Sequence, residues 1–170
     1  MTATRLKVLS YAALVFVVDQ ATKAIARAWL PRERPIPIIG DLVRLTYVEN
    51  PGIAFGIRVG GGPLFTALIA LVSMMLLVYM LRSRSAGTTE QVALAITFGG
   101  ALGNLTDRLL FGKVVDFIDV DFPDFLMSRW PVFNVADAAV TIGILVLIAL
   151  VLFDSSSHSP RKRTAEGPAV

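Results

Sequence analysis

The chain lacks several residue types on which common enzyme chemistries depend. Its 170 residues include no cysteine, which excludes disulfides, thiolate metal sites and cysteine nucleophiles. The only histidine, His158, lies in a polar C-terminal stretch. A Ser-His pair or a histidine-rich metal site within the apolar part of the chain is therefore excluded. Neither HExxH nor GxSxG occurs. If the protein is an enzyme, its acids and bases are carboxylates, and we predict neither a bound metal nor a cofactor.

Charged residues are also few, and the apolar residues dominate. Charged residues make up 17% of the sequence, with a net charge of +3, and they form no basic stripe of the kind that binds nucleic acid. In contrast, 55% of the residues are hydrophobic and the mean hydropathy is +0.68, which is more apolar than an ordinary soluble domain. We therefore predict an integral membrane protein without a nucleic-acid partner.

Four apolar segments approach the length of about 20 residues that an α-helix needs to cross a bilayer. They cover approximately residues 8–28, 63–81, 92–110 and 134–153. These segments predict an all-α fold with four transmembrane helices in a single domain, residues 1–153.

A cleaved signal peptide is the alternative interpretation of the first segment. Arg5 and Lys7 form a basic start, and the small residues of "AIA" resemble a cleavage site. However, Asp19 and Lys23 lie between the apolar run and that site, and Arg27 follows it. These charges favour a retained helix.

Four spans divide the polar segments between the two sides of the membrane. One side receives seven basic residues in short segments: Arg5, Lys7, Arg82, Arg84, Arg161, Lys162 and Arg163. The other side receives the longer segments 31–62 and 111–133, which hold six basic and seven acidic residues. Because short cytoplasmic loops carry the excess of Lys and Arg, we predict that both termini lie in the cytoplasm.

The polar segments have their own patterns. Within 31–62, the alternating stretch "DLVRLTYVEN" predicts a short strand, and "NPGIAFG" predicts a turn after it. We therefore expect a small extracytoplasmic β/loop element. Residues 154–170 are polar, with Ser, Pro and basic residues, which predicts a disordered cytoplasmic tail.

The third apolar segment carries a polar face in "GGALGNLTDR". Gly99 and Gly103 form a small-xxx-small pair, which lets another helix approach closely. Helical spacing places Asn104, Asp107 and Arg108 on the same broad face as Gly103. That face is expected to point into the helix bundle or a wet cleft, because polar groups facing lipid are costly.

The first apolar segment contains an acid–base pair, Asp19 and Lys23, spaced i, i+4 with the acid first, which is the favourable order on a helix. One interpretation is a structural ion pair, with Lys23 and Arg27 extending outward along the helix. The other is that Asp19 supports a functional site. Similarly, Asp107 is expected to be a structural partner near its helix end, whereas Arg108 is a candidate for holding an anionic or carbonyl group.

Asp116 and Asp137 have no obvious cationic partner in the adjacent sequence, and Asp116 is flanked by apolar residues. Asp137 lies in the first turn of the fourth helix, behind Asn134, where it could serve as a helix-start device. If both aspartates reach the outer interface together, however, they would resist double ionisation and share a proton. That is the condition used by an aspartic protease. A catalytic pair and an ion or proton pathway both remain open on these grounds.

Three further aspartates, Asp119, Asp121 and Asp124, follow Asp116 closely. They do not match an EF-hand, because the glycine at loop position six and the glutamate at position twelve are missing. We predict that they form a solvated acidic rim.

Four motifs together resemble one family. They are "DQATK" at 19–23, "ENPGIAFG" at 49–56, "GGALGNLTDRLLFGKVVDFIDV" at 99–120 and "FNVADAAVTIG" at 133–143. In this order they are similar to lipoprotein signal peptidase, the type II signal peptidase of bacteria, and they cover every apolar segment except the second. Ile53 departs from the commoner alanine, and Thr106 is a variable position.

The resemblance implies an inner-membrane aspartic endopeptidase with its active site near the outer leaflet. Such an enzyme removes the signal peptide from a prolipoprotein that already carries diacylglyceryl on a cysteine, cutting just before that cysteine. It implies that Asp116 and Asp137 are the catalytic dyad. The supporting or substrate-binding residues are expected to be Asp19, Lys23, Asn50, Gly52, Asn104, Asp107, Arg108 and Asn134.

The expected partners are lipid-modified prolipoproteins and membrane lipid, and a monomer is expected. The alternative is a non-enzymatic protein, either a small ion or proton carrier that uses Asp19, Asp107 and Asp137 as a relay, or an assembly subunit. No inverted repeat of the kind found in many transporters is visible in the sequence.

Overall fold

The computed structural model describes residues 3–54, 57–58, 63–82, 87–121 and 129–154. Asp124 and the tail beyond residue 154 lie outside these ranges. Each of the four apolar segments forms a long helix. The helices are α1 (Ala3–Trp29), α2 (Pro63–Arg82), α3 (Thr88–Phe111) and α4 (Val135–Asp154).

Three of these helices, α1, α2 and α4, are long and apolar enough to cross a membrane. Helix α3 is long enough but more polar. The contacts explain the difference, because α3 packs against each of the other three helices. Its surface therefore meets protein, whereas α2 and α4 expose large apolar side chains such as Leu71, Met75, Leu145 and Val151. A helix surrounded by other helices has less need of an apolar surface.

The predicted close approach at the glycines of α3 is confirmed, and α1 is the neighbour. A β-carbon on Gly99 would lie 2.5 Å from the carbonyl oxygen of Ala12, and one on Gly103 would collide with the carboxylate of Asp19. Real β-carbons do not approach other atoms so closely, so glycine is required at both positions. The contact at Gly103 brings the backbone of α3 directly against an ionisable side chain.

The β-structure joins the helices at one end. Strands β1 (Ile36–Ile39), β2 (Val43–Asn50) and β5 (Val114–Val120) form an antiparallel sheet in the order β1-β2-β5. The short strands β3 (Ile53–Ala54) and β4 (Ile57–Arg58) form a second, two-stranded sheet. The predicted strand within 41–50 is confirmed. The segment after α3 was expected to be a loop, and instead it supplies β5.

The three-stranded sheet packs on the ends of the helices. Ala26 of α1 forms a buried cluster with Val115 and Phe117 of β5, and β5 also contacts α3. Helix α3 stops at Gly112, which has a left-handed φ of 70° and donates its N–H to the carbonyl of Arg108, as is usual after a helix C-terminus. The chain therefore turns directly from α3 into β5 and passes beside the start of α4.

Candidate active site

Asp116 lies on β5, with an exposed fraction of only 2%. Two side-chain amides hold its carboxylate. Asn134 donates through Nδ2 to Oδ1 at 2.6 Å, and Asn50, at the end of β2, donates through Nδ2 to Oδ2 at 3.0 Å. Because β2 and β5 are paired, the sheet register fixes the position of Asn50 relative to Asp116.

Asp137 is held at the first turn of α4 by a reciprocal pair of hydrogen bonds with Asn134. The N–H of Asp137 donates to Asn134 Oδ1 at 2.9 Å, and the N–H of Asn134 donates to Asp137 Oδ2 at 3.2 Å. This arrangement is a capping box with aspartate in the place of the usual Glu or Gln. Asn104 of α3 donates to the other carboxylate oxygen, Oδ1, at 2.7 Å. Asp137 thus helps to cap the N-terminus of α4, and it also lies near Asp116, since both carboxylates bind Asn134.

Asn134 connects the two carboxylates. It is fully buried, its side-chain amide donates to Asp116 and its backbone N–H donates to Asp137. In the part of the chain that the structure describes, neither carboxylate takes part in an ion pair with Lys or Arg. One buried and one half-buried carboxylate, joined through a single residue and without a directly paired cation, would resist double ionisation.

The pKa of Asp116 reflects this environment. Burial raises it most, and the negative charge of Asp137 raises it further, to about 7. The hydrogen bonds from Asn50 and Asn134 oppose the rise but do not cancel it. At neutral pH, Asp116 can therefore take up or release a proton, which is the property required of a general acid or base.

A second group of ionisable side chains lies behind the pair, between α1 and α3. Lys23 is fully buried, and its Nζ lies 2.9 Å from Asp19 Oδ2 and 3.6 Å from Asp107 Oδ2. The interpretation that Lys23 extends outward is wrong, because its ammonium is enclosed by these carboxylates and donates to Asn104 Oδ1 at 2.8 Å. Arg27, one turn further along α1, is a quarter exposed and lies 3.4 Å from Asp107.

Asp19 and Gln20 connect this group to the rest of the site. Asp19 Oδ1 accepts a hydrogen bond from the N–H of Ala136, in the first turn of α4, at 2.9 Å. Gln20 donates through Nε2 to Asp19, Asp107 and the carbonyl of Gly103, at 3.1–3.2 Å. Gln20 was not among the residues predicted for the site. Its signal was a neutral polar residue inside an apolar helix, directly beside Asp19.

Gly52 and Arg108 flank the pair from different elements. Gly52 has φ of 124°, a value that favours glycine, and its N–H donates to Asn50 Oδ1 at 2.9 Å. This bond turns the Asn50 amide so that its nitrogen faces Asp116. Arg108 donates to the carbonyl of Asn104 at 3.2 Å, and its guanidinium lies 5.2 Å from the ring centre of Phe65. Its buried Nε has no hydrogen-bond partner among the described residues.

The predicted acidic rim is wrong for Asp119, which is 3% exposed. Arg44 and Arg129 donate to its carboxylate at 3.1 Å and 2.8 Å, and Thr46 donates at 2.7 Å. These residues come from β2 and from the segment after β5, so the sequence showed no partner next to Asp119. Asp121 is partly exposed and pairs with Arg129 at 3.1 Å.

A metal site has no clear ligand set here. Within the described ranges, no group of three or more His, Cys, Asp or Glu side chains is arranged to hold a metal ion. The side chains that donate to Asp116 and Asp137 are the amides of Asn50, Asn104 and Asn134, so the site offers carboxyl groups and amide hydrogen-bond donors.

The fold and the site together define a class: a helical membrane protein with two carboxylates, one buried and one half-buried, held by asparagines where its sheet meets the helix ends. The sequence model of the signal peptidase II family matches residues 11–153. A lipoprotein signal peptidase of Chlorobium phaeobacteroides is 39% identical over 142 residues, covering 81% of this chain and 84% of the relative. Another, from Syntrophomonas wolfei, is 44% identical, covering 83% and 89%.

Solved structures agree with these matches. Two are described as bacterial membrane enzymes. One has a TM-score of 0.76 and 30% identity, covering 92% of this chain and 93% of its own. The other has a TM-score of 0.75 and 33% identity, covering 87% and 94%. This chain belongs to the signal peptidase II family. It is accordingly a peptidase and a multi-pass membrane protein.

Proposed function

We propose that the protein is an aspartic endopeptidase that removes the signal peptide from diacylglyceryl-modified prolipoproteins, cutting just before the lipid-modified cysteine. Asp116 and Asp137 are its catalytic residues, and no metal or cofactor takes part. One observation carries the proposal: two carboxylates, the buried Asp116 and the half-buried Asp137, accept hydrogen bonds from the same residue, Asn134, and neither is paired with a cation in the described chain. The family and the named relatives supply the substrate class.

The proposed chemistry uses one proton shared by the pair. The ionised carboxylate takes a proton from water, and the water oxygen attacks the scissile carbonyl carbon. The protonated carboxyl gives its proton to the carbonyl oxygen, which produces a neutral tetrahedral diol. When the C–N bond breaks, the carboxyl that took its proton from water gives it to the leaving nitrogen. One diol hydroxyl gives its proton to the other, ionised carboxylate, so the diol becomes the new carboxyl group and the pair again holds one proton. The titration belongs to the pair jointly, so neither aspartate alone is assigned the starting proton.

The surrounding polar residues would hold the substrate and the dyad in place. Asn50 and Asn104 are neutral, so they position carbonyl or carboxyl groups without adding charge beside the dyad. The turn at Gly52 brings backbone close to Asn50, and a substrate strand can approach there. Arg108, whose Nε has no hydrogen-bond partner among the residues that the structure describes, is suited to the ester or carbonyl oxygens of the lipid-modified cysteine.

We also propose that α3 is the fourth membrane span, because it lies among three apolar helices. Four spans would place both termini in the cytoplasm of a bacterial cell and the three-stranded sheet on the outer side of the inner membrane. The dyad would then lie near the outer leaflet, level with the cysteine of a lipid-anchored substrate. Residues 1–153 would act as one monomeric domain, with 154–170 as a cytoplasmic tail.

A cleavage assay tests this function. Purified protein in detergent is mixed with a diacylglyceryl-modified prolipoprotein, and cleavage is followed as a mobility shift, with and without EDTA. We expect the wild-type protein to cut the lipid-modified substrate but not its unmodified form, EDTA to have no effect, and Asp137→Asn to be inactive. Failure of folded wild-type protein on several lipid-modified substrates, or activity in Asp137→Asn, would contradict the proposal.

The ion or proton carrier has less support. Its relay would need Asp19 and Asp107 to change protonation, yet both lie in a buried cluster with Lys23, at 2.9 Å and 3.6 Å from its Nζ. Both carboxylates therefore serve as ion-pair partners of a buried lysine, which is a structural role. Proton flux into vesicles without any proteolysis would restore the carrier hypothesis.

A further inference from the structure

Two connections run from helix α1 to the start of α4, where Asp137 lies. The first is direct, because Asp19 Oδ1 accepts a hydrogen bond from the N–H of Ala136, the residue before Asp137. The second passes through α3: Lys23 Nζ donates to Asn104 Oδ1 at 2.8 Å, and Asn104 Nδ2 donates to Asp137 Oδ1 at 2.7 Å. The Asp19–Lys23 pair thus holds both the backbone and the carboxylate at this position.

The second connection fixes which way the Asn104 amide points. An ammonium group has only donors, so the amide end that faces Lys23 must be the oxygen. The nitrogen end then faces Asp137, whose Oδ1 accepts its hydrogen bond. Asn134 Nδ2, at 3.2 Å from Asn104 Oδ1, favours the same orientation. If Lys23 were lost, Asn104 could rotate and present its oxygen to Asp137.

We propose that Lys23 is a positioning residue for the peptidase reaction, which fixes the orientation of the Asn104 amide and through it the carboxylate of Asp137. The inference rests on the proposed function only for its effect on turnover. Its structural part stands on the two hydrogen bonds and on the complete burial of Lys23.

The charges around the dyad allow an experiment to distinguish a positioning role of Lys23 from a purely structural role. Lys23 from α1 and Arg108 from α3 are the cations that act on Asp137, and Lys23 also lowers the pKa of Asp116. Asp19 and Asp107 offset part of the Lys23 charge. Loss of Lys23 therefore changes the electrostatics of the dyad, whereas a simple packing defect does not.

The main variant is Lys23→Met, and Arg27→Met is its matched control. Arg27 contacts the same Asp107 carboxylate, and its other described contact is with the ring of Phe111 rather than with Asn104. If Lys23→Met does not fold, Lys23→Met/Asp107→Asn removes one cation and one anion together, and it is compared with Asp107→Asn in both measurements so that only the loss of Lys23 differs. Thermal unfolding in detergent measures the folded fraction of each variant.

The first measurement is steady-state cleavage. We expect kcat to fall by about 100-fold in the Lys23 variant with KM changed less than about threefold, because a small misplacement of a reacting group has a cost of this size. Arg27→Met should keep kcat within about threefold of the wild-type value. A folded Lys23 variant with wild-type kcat would overturn the proposal while leaving the proposed function intact.

The second measurement does not need activity. In protein labelled with ¹³C at the aspartate carboxyls, the titration of Asp116 should move upward by about one pH unit in the Lys23 variant, as expected for the loss of a nearby cation. It should stay in place in Arg27→Met. If the wild-type protein fails to cleave, the proposed function fails, and this titration still decides the inference: an unchanged Asp116 midpoint overturns it.

Discussion

Strand β5 carries two buried aspartates, three residues apart, whose surroundings are opposite in kind. Asp116 receives hydrogen bonds from the amides of Asn50 and Asn134, whereas Asp119 receives them from two arginines and a threonine. An odd separation along a strand directs side chains to opposite faces of the sheet. One strand thus places one carboxylate toward the asparagines and the other toward the arginines.

The comparison shows that burial alone does not decide what a carboxylate does. Burial raises the pKa of Asp116, and the charge of Asp137 adds to it, giving a value of about 7. Burial also acts to raise the pKa of Asp119, but hydrogen bonds from Arg129, Thr46 and Arg44 outweigh it and the pKa is lowered. Asp116 can therefore exchange a proton near neutral pH, and Asp119 remains ionised as a structural anchor.

The largest expected effect is on catalysis. Asp116→Asn should reduce cleavage by about 10³-fold or more, because the amide can neither accept nor supply the proton. Asp119→Asn, on the same strand, should keep the kcat of its folded fraction within about threefold of the wild-type value. Both are measured by the mobility-shift assay at matched concentrations of folded protein. An inactive Asp119→Asn with an active Asp116→Asn would mean that the two roles are reversed.

The second effect is on stability. Asp119→Asn should lower the free energy of unfolding by about 2 kcal/mol, because it removes the charge that Arg44 and Arg129 both bind. Thermal unfolding in detergent measures the loss. The control is Asp41→Asn, since Asp41 is 90% exposed and lies 3.8 Å from Arg44. Equal losses in the two variants would show that burial of Asp119 is unimportant.

The third effect is a gain in stability rather than a loss, and it depends on pH. The raised pKa of Asp116 means that the folded protein retains a proton which the unfolded chain has lost above pH 3.8. Stability therefore falls as pH rises from about 4 to about 7, by at most ~4 kcal/mol for a shift of about three units. Asp116→Asn removes this cost but also one hydrogen bond, so we expect it to be more stable than wild type by about 1–2 kcal/mol at pH 8.

At pH 4 that advantage should disappear, because Asp116 is then protonated in the folded wild-type protein and close to half ionised in the unfolded chain. Melting curves of both proteins at the two pH values provide the measurement. A variant that is less stable than wild type at pH 8 would show that the Asp116 carboxylate is not strained by its burial.

Much of this arrangement was visible in the sequence, where the signals were local. The four helices followed from apolar length, and the approach of α1 to α3 followed from Gly99 and Gly103. The absence of cysteine, and the lack of an obvious cationic partner next to Asp116 or Asp137 in the sequence, indicated carboxylate chemistry. The family motifs added the positions of the asparagines.

The remaining features depend on contacts between distant residues. Strand β5 was missed because its residues alternate weakly and need the register with β2 to form a sheet. Asp119 looked solvated because Arg44, its cross-strand partner, lies 75 residues away. Lys23 looked able to reach the surface because only the packed structure shows that α3 closes over it.

The smallest expected effect comes from a carboxylate that has cations but little burial. Glu49, on β2, binds Lys113 and Arg32, and the hydrogen bond from Lys113 is the main reason that its pKa is lowered to about 2. Its contribution to stability is therefore present above the unfolded pKa of 4.5 and is lost as pH falls toward 2. Because water and salt screen exposed ion pairs, Glu49→Gln should lower the melting temperature less than Asp119→Asn does.

Salt separates the two carboxylates further. At about 1 M salt, where the screening length is only about 3 Å, the effect of Glu49→Gln should vanish, whereas most of the effect of Asp119→Asn should remain because that carboxylate is 3% exposed. Melting temperatures of both variants over one salt series make the comparison. If Asp119→Asn lost its effect in salt as completely as Glu49→Gln, its arginines would be acting through solvent, and burial would not be what distinguishes a carboxylate on β5 from one on β2.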